Sequence, residues 1–374
     1  MPAGHIPDAI LWHEGMLLAP QHFQQLSLRQ EALVQYSTMR FVPFAWGVHR
    51  LSVDQNLLLT GVFRVLDLEA VMPDGLVVCH HGQKGGPLEI DLTPKREEIA
   101  HQPLTVHLAI PDRACGLSQG DLARYETFEG DPIADENADD SELQIPRLKP
   151  RVTLLAAEIP PSKYVSFPLA RVQHRNETFA LASFIPPMIQ VALQSPLGDL
   201  CALTSKRLRE KAMFLADQLQ APSTTIGMPS VLETRSRIQS LVAGLPLFEA
   251  VLSTGRSHPY LLYLSFCSLV GHLAALGNSL LPPLLPPYNH NDLRSTFEQV
   301  QRFVFRMIAE GVSEAYDGIP FHFESGVFSL AFDPSWTHRR LLLGMRGQTG
   351  MAEKDLLEWG ETCLIGSQNI MGSL

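Results

Sequence analysis

The sequence predicts a multidomain α+β protein: β-rich at its N-terminal end, a helical bundle in the middle, and a small mixed α/β region at its C-terminal end. Three observations predict this. A length of 374 residues exceeds one typical domain. Apolar residues alternate at period two within residues 40–187, which is the spacing of strands. Beyond Pro186-Pro187 they recur in steps of three and four, which is the spacing of helices, until the pattern changes again after Asp317-Gly318. The expected domains are 1–187, 188–316 and 317–374.

The first element is an apolar arm, IPDAILWHEGMLLAPQHFQQ at 6–25. Trp12, Met16, Leu17, Leu18 and Phe23 crowd into it, while Pro7, Gly15 and Pro20 interrupt any single regular element. Pro20 suits the first position of a helix, so the arm is expected to run into a helix from about Pro20 to Tyr36 with Phe23, Leu26 and Leu33 on one side. Two destinations are open to the arm's large side chains: the chain's own core, or a partner.

The strands follow. Leu104, Val106, Leu108 and Ile110 alternate with Thr105, His107 and Ala109, as in a half-buried strand. Leu66–Ala70 alternates as well, and Val152–Ile159, Tyr164–Val172 and Thr178–Phe184 are further candidates. Pro73-Asp74-Gly75 and Gly82–Pro87 punctuate them as turns. An antiparallel sandwich or barrel is expected. Residues 126–142 carry eight carboxylates and no Lys or Arg, and read as an exposed, mobile acidic loop. The ligand positions of an EF-hand calcium site are missing from it.

In the helical region, Leu208, Ala212, Leu215 and Leu219 form one apolar seam. Ile238, Leu241, Leu245, Phe248 and Leu252 form a second, and Leu293, Phe297, Val300, Val304 and Met307 a third. Pro196 and Pro246 are expected to break or kink their helices. The seams have two readings of equal weight: packing within one chain, or self-association through a shared bundle. Pro259–Gly277 is uncharged and long enough to cross a membrane, but without flanking basic clusters it reads as a core helix of the bundle. At the C-terminal end, Phe321–Phe332 and Arg339–Met345 read as strands and Met351–Glu361 as a short helix. The chain stops where a helix begins to form after Ile365-Gly366-Ser367, so this region is expected to be a shortened form.

Composition narrows the function classes. Apolar residues make up 45% and charged residues 18%, values suited to sizeable cores. A net charge of -10 disfavours a nucleic-acid binder held by phosphate contacts. Cys79, Cys115, Cys201, Cys267 and Cys363 are widely spaced and odd in number, which excludes CxxC metal spacing and fits free thiols in a reducing compartment. A signal peptide's basic and apolar segments are missing.

Motif matches with catalytic overtones are weak. Gly116-Leu117-Ser118-Gln119-Gly120 fits G-x-S-x-G, which would make Ser118 the nucleophile of a serine hydrolase. Pro111-Asp112-Arg113 separates it from the preceding strand, however, so a simple turn is the favoured reading. His13-Glu14 lacks HExxH spacing, His80-His81 is a lone pair, and Gly82–Gly86 lacks phosphate-loop spacing. His290, in Tyr288-Asn289-His290-Asn291-Asp292, reads as a local hydrogen-bonding residue, with Asn291 or Asp292 capping the next helix. No cofactor or metal is expected.

WHEGMLLAPQHFQ at 12–24 strongly resembles the opening of the TssK (ImpJ/VasE) family of type VI secretion baseplate proteins. WGVHRLSVD at 46–54, Pro73-Asp74-Gly75, FPLARVQ at 167–173, FIPPMI at 184–189, HPYLLY at 258–263 and PYNHNDL at 287–293 follow in the family's order. The resemblance implies a cytoplasmic, non-enzymatic homotrimer with a shoulder like that of phage receptor-binding proteins, a helical neck and a C-terminal head. It implies an adaptor joining a wedge of TssF and TssG, through the shoulder, to the TssJ, TssL and TssM membrane complex, through the head. Trp12, Met16, Leu17, Leu18 and Phe23 then become candidate wedge anchors, since buried aromatic residues tend to dominate interface energy. Packing of the arm on its own shoulder or on a sister subunit stays open. Ile238, Leu241, Leu245, Phe248, Leu293, Phe297, Val300, Val304 and Met307 become candidates for closing a three-fold neck around the 259–277 helix. A phage-type receptor-binding or baseplate protein is the alternative within the same class.

Overall fold

The computed structural model describes residues 3–82, 86–113, 123–135, 142–220, 228–277, 281–311, 319–324, 326–334, 336, 343, 359–360, 362–363 and 366–367. They fall into two units, 1–312 and 313–374.

The first unit opens with the arm. A 3-10 turn at Ala3–His5 leads into extended chain, interrupted at Gly15, whose φ of +79° marks a turn. Helix α1 runs Pro20–Phe41, five residues beyond the expected end. Nothing before Pro43 forbids helical backbone, so the apolar spacing that faded at Tyr36 did not mark a stop. Ala32 is the only buried residue of α1.

Two four-stranded antiparallel sheets follow. In the first, β1 (Gly47–Val53) lies along one edge of β2 (Val62–Val71), and β3 (Val77–His81) and β4 (Leu88–Asp91) share the other. The short helix α2 (Gln55–Leu59) begins at Asp54, whose carboxylate accepts from the amides of Asn56 and Leu57 at 3.0 Å each. Helix α3 (Arg96–His101) leads into β5 (Leu104–Pro111) of the second sheet. That sheet is ordered β10 (Thr153–Ala156), β5, β11 (Tyr164–Arg175), β12 (Thr178–Leu181). Phe63, Leu68 and Val78 from the first sheet, Met72 just after β2, and Val106, Leu108, Phe167 and Val172 from the second sheet share one apolar core. This is the layered arrangement the strand pattern predicted.

Two details differ from the expectation. Strand β5 is not half-buried: His107 and Ala109, on its polar-looking side, are buried too. A strand flanked by neighbours on both edges and covered on both faces hides its small residues as well as its large ones. The acidic segment is not a plain loop either. β6 (Tyr125–Glu129) pairs with β9 (Pro146–Pro150), and β7 (Ile133–Ala134) pairs with β8 (Glu142–Leu143). Opposite charges meet across this ribbon, with Glu126 opposite Lys149 and 3.8 Å from its ammonium. The basic residues that make the pairing favourable come after the acidic run, where a window on the run alone misses them.

The boundary at Pro186-Pro187 is laced to β1. Val48 donates its amide to the Pro187 carbonyl at 2.8 Å and accepts from Ile189 at 3.2 Å. Gly47, at φ +130°, permits this approach: a Cβ there would lie 2.7 Å from the Met188 nitrogen.

The helices are α4 (Pro196–Gln220), α5 (Met228–Val242), α6 (Leu245–Ser253), α7 (Pro259–Leu273) and α8 (Leu293–Gly311). Pro196 opens α4 and Pro246 sits in the first turn of α6, so both prolines stand at helix starts. The second seam is therefore divided between α5 and α6. A short 3-10 turn extends α7 to Leu276, and 259–276 is long and apolar enough to cross a membrane. In the folded chain half of it is enclosed, with Leu262, Tyr263, Phe266, Leu269, Val270 and Leu273 in the bundle core. A polar clamp ties the bundle's outside: Arg209 grips the Glu249 carboxylate with both nitrogens of its fork, and Ser205 donates to the same carboxylate at 2.5 Å.

In the second unit, β13 (His322–Glu324) and β14 (Val327–Ser329) form a hairpin, where one strand was expected over 321–332. Gly326, at φ +83°, turns the chain. Most of the expected strand at 339–345 and of the helix at 351–361 lies outside the described residues, as does Ser118.

Candidate interaction surfaces

The arm residues are placed outward. Trp12 is 47% exposed, Leu17 87%, Leu18 59% and Phe23 54%, while Met16 is half-buried. Trp12 touches His22 ring to ring, with centroids 6.0 Å apart. His22 in turn accepts from the Ala19 amide at 3.0 Å, which fixes the entry into α1. Arg29 on α1 donates to the Pro7 carbonyl, holding the extended segment against the helix. The arm is thus given a defined shape without being buried.

The exposed apolar surface continues along α1. Leu26, Leu33, Val34 and Phe41 follow Phe23 at helical spacing, and all are exposed. Only the first part of this stripe was legible in the sequence. A helix with a single buried residue in 22 is held to its own domain by little. One polar tie is Arg113 to Glu31, at 2.5 Å.

The candidate neck residues are placed inward. Leu241, Leu245, Phe248, Leu293, Phe297, Val300, Val304 and Met307 are buried in one core within a single chain, and Ile238 packs against it half-buried. Their seams face other helices of the same chain. Enclosure of these side chains within one chain is the first of the two readings of the seams, packing inside the chain. The three- and four-residue spacing was correctly helical; it carries no information on whether the covering helix belongs to the same chain.

Sequence reading missed a junction that connects the root of the arm to the bundle. His258, the N-cap of α7, accepts from the Tyr260 amide at 3.1 Å through Nδ1 and donates from Nε2 to the Phe44 carbonyl at 3.0 Å. His290, just ahead of α8, donates from Nε2 to the Trp46 carbonyl at 2.7 Å and accepts from the Tyr288 hydroxyl at 2.8 Å. Its expected role as a hydrogen-bonding residue therefore holds, though the main partner is 244 residues away. The α8 cap is Asp292, which accepts from the Ser295 amide at 3.0 Å. Phe44, at φ +58°, stacks on His290 and packs against Tyr260 and Tyr288.

Each junction imidazole uses one nitrogen as donor and the other as acceptor, which is the neutral form. Burial pushes His290 down to about 4, and the nearby His258 adds to this against the pull of the Trp46 carbonyl. Burial also lowers His258. An unfolded histidine titrates near 6.5. Between that pH and about 4 the unfolded chain binds the proton that the folded His290 refuses. The stability is thus fully present above about pH 6.5 and lost as pH falls, by on the order of 3 kcal/mol for His290. Urea titrations across this range are expected to show the loss. A His290→Gln variant is expected to start less stable and to lose less; equal slopes in the two proteins would refute the assignment.

Among the described residues, no group of three or more His, Cys, Asp or Glu converges on a metal position. The chain is a multidomain α+β protein with a β-sandwich, a helical bundle, and exposed apolar residues along an N-terminal arm and its helix.

Residues 22–359 match the family described as bacterial type VI secretion, EvfL, ImpJ and VasE, and the chain belongs to that family. A curated relative, type VI secretion system baseplate component TssK1 of Pseudomonas aeruginosa, is 24% identical, over 84% of this chain and 71% of the relative. A crystal structure of TssK shares the fold at a TM-score of 0.71 and 22% identity, covering 81% of this chain and 69% of that one. A TssK–TssF–TssG baseplate subcomplex contains a chain that matches at a TM-score of 0.67 and 20% identity, covering 81% and 98%.

Proposed function

We propose that this chain is a structural component of a type VI secretion baseplate, acting by binding rather than by catalysis. It works as a homotrimer on the cytoplasmic side, where it joins a wedge of TssF and TssG to the TssJ, TssL and TssM membrane complex. The observation that carries this reading is the exposed arm of a chain belonging to this family: Trp12, Leu17, Leu18 and Phe23 stand out from the single copy. Clustered exposed apolar residues of this kind mark interaction sites. In this reading the arm supplies the wedge anchors, with Met16 beneath them. The stripe of α1 from Leu26 to Phe41 supplies the contact between copies, because the neck seams are enclosed within one chain. The unit from Ser313 onward is assigned to the membrane complex.

The test is co-expression of the full chain with TssF and TssG, followed by mass measurement in solution. The chain alone is expected at three times its 41.5 kDa mass, and together with both wedge proteins in the mixture. A monomer at micromolar concentration would overturn the trimer. Separate elution of the three proteins would overturn the wedge assignment.

A further inference from the structure

The outer face of the first sheet carries a Cys–His–Asp relay separate from the arm and the junction. Cys79 and His81 are alternate residues of β3, so they share a face. The register with β2 sets Asp67 opposite His81 and Glu69 opposite Cys79. Cys79 Sγ lies 3.1 Å from His81 Nε2, and His81 Nδ1 lies 2.6 Å from Asp67 Oδ1. Arg50, from β1, reaches Asp67 at 3.4 Å and Glu69 at 3.8 Å, offsetting both carboxylates.

The chemistry of the relay follows from these contacts. The hydrogen bond from His81, together with Arg50, holds the Asp67 carboxyl below its ordinary range. An ionised Asp67 requires the proton on His81 Nδ1, which turns the Nε2 lone pair toward the Cys79 thiol. The remaining described cysteines are set differently. Burial holds the Cys201 thiol well above its ordinary range and raises that of Cys267, and Cys363 donates to the Trp359 carbonyl at 3.4 Å. Cys79 and His81 are exposed on the sheet, so a small reagent reaches the sulfur.

We propose that Cys79 is a modification site, a thiol that exchanges with small-molecule disulfides through proton transfer to His81, with Asp67 as the positioning residue. The Cys79 proton passes to His81 Nε2. The thiolate attacks one sulfur of the disulfide, forming a new S–S bond as the old one breaks. The displaced thiolate takes up the proton from His81 and leaves as a thiol. Cys79 is oxidised and the departing half of the reagent is reduced, so no further oxidant is needed. The product carries a bulky group on the open face of the shoulder sheet.

The test uses the full folded chain with the aromatic disulfide DTNB and, separately, with oxidised glutathione, mapping labelled cysteines by mass. Cys79 is expected to be labelled first, and Cys79→Ser to lose that fast phase. At about pH 6, His81→Ala is expected to slow Cys79 roughly tenfold, because the imidazole that accepts the thiol proton is gone. Asp67→Asn is expected to move the pH–rate profile to higher pH while the fold, followed by circular dichroism, is unchanged. Equal Cys79 rates and pH profiles in the wild-type and His81→Ala proteins would overturn the proposal. So would oxidised glutathione forming its mixed disulfide at other cysteines and not at Cys79.

Discussion

Trp12→Ala is expected to weaken binding to a TssF–TssG wedge by roughly 2–4 kcal/mol, or about 30- to 1,000-fold, and to leave the melting temperature unchanged. Both parts rest on where the side chain lies. The indole is 47% exposed and its ring contact is with His22, so removing it opens no cavity in either core. On a partner surface the same ring would be desolvated and enclosed, which is where truncation of a large aromatic side chain has its greatest effect. Leu17→Ala, at the most exposed of the anchors, is expected to act in the same direction with a smaller loss. The check is a titration of wild-type and variant chains against the purified wedge, with a thermal melt of each. Unchanged affinity would remove Trp12 from the interface. A lowered melting temperature would mean that the arm stabilises its own shoulder.

Phe297→Ala is expected to destabilise the protein by about 3–5 kcal/mol, the range for deleting a fully buried aromatic side chain. Phe297 is completely enclosed, with ring centroids 5.8 Å from Tyr263 and 6.1 Å from Phe266, at the meeting of α7 and α8. Chemical denaturation followed by tryptophan fluorescence measures the loss. Because the covering residues belong to the same chain, the loss is expected to be the same at low and high protein concentration. A seam shared between copies would instead make Phe297→Ala weaken self-association, so that its loss relative to the wild type would change with protein concentration. The experiment therefore separates the two meanings of a helical seam that spacing alone leaves equal.

What could be read from the chain divides along the range of the interactions. Alternation located β2 and β5, where large apolar residues recur at every second position, and β10, β11 and β12 fall within the further candidate stretches. Pro20 located the start of α1 and the seams located helices of the bundle, whereas Pro196 and Pro246, expected to break or kink helices, stand at helix starts. The acidic ribbon at 125–150 was hidden because its pairing depends on residues such as Lys149, some twenty positions beyond the first carboxylates. The arm was legible as an apolar stretch in search of cover, but not as an exposed one, since burial depends on everything else in the fold. The junction was illegible for the same reason: His258 and His290 each have ordinary neighbours, and their partners at Phe44 and Trp46 are more than two hundred residues away.

That junction gives the molecule a particular path for mechanical load. The segment 44–46 stands between the end of α1 and the start of β1, and two imidazoles fasten its carbonyls to the chain at the starts of α7 and α8. A tug on the arm travels down α1, past the Arg113–Glu31 tie, and arrives at this fastening before it enters β1. Part of it therefore passes straight into the long helices, as tension on a guy rope passes into the mast, and the sandwich is spared the shear that would otherwise slide its strands.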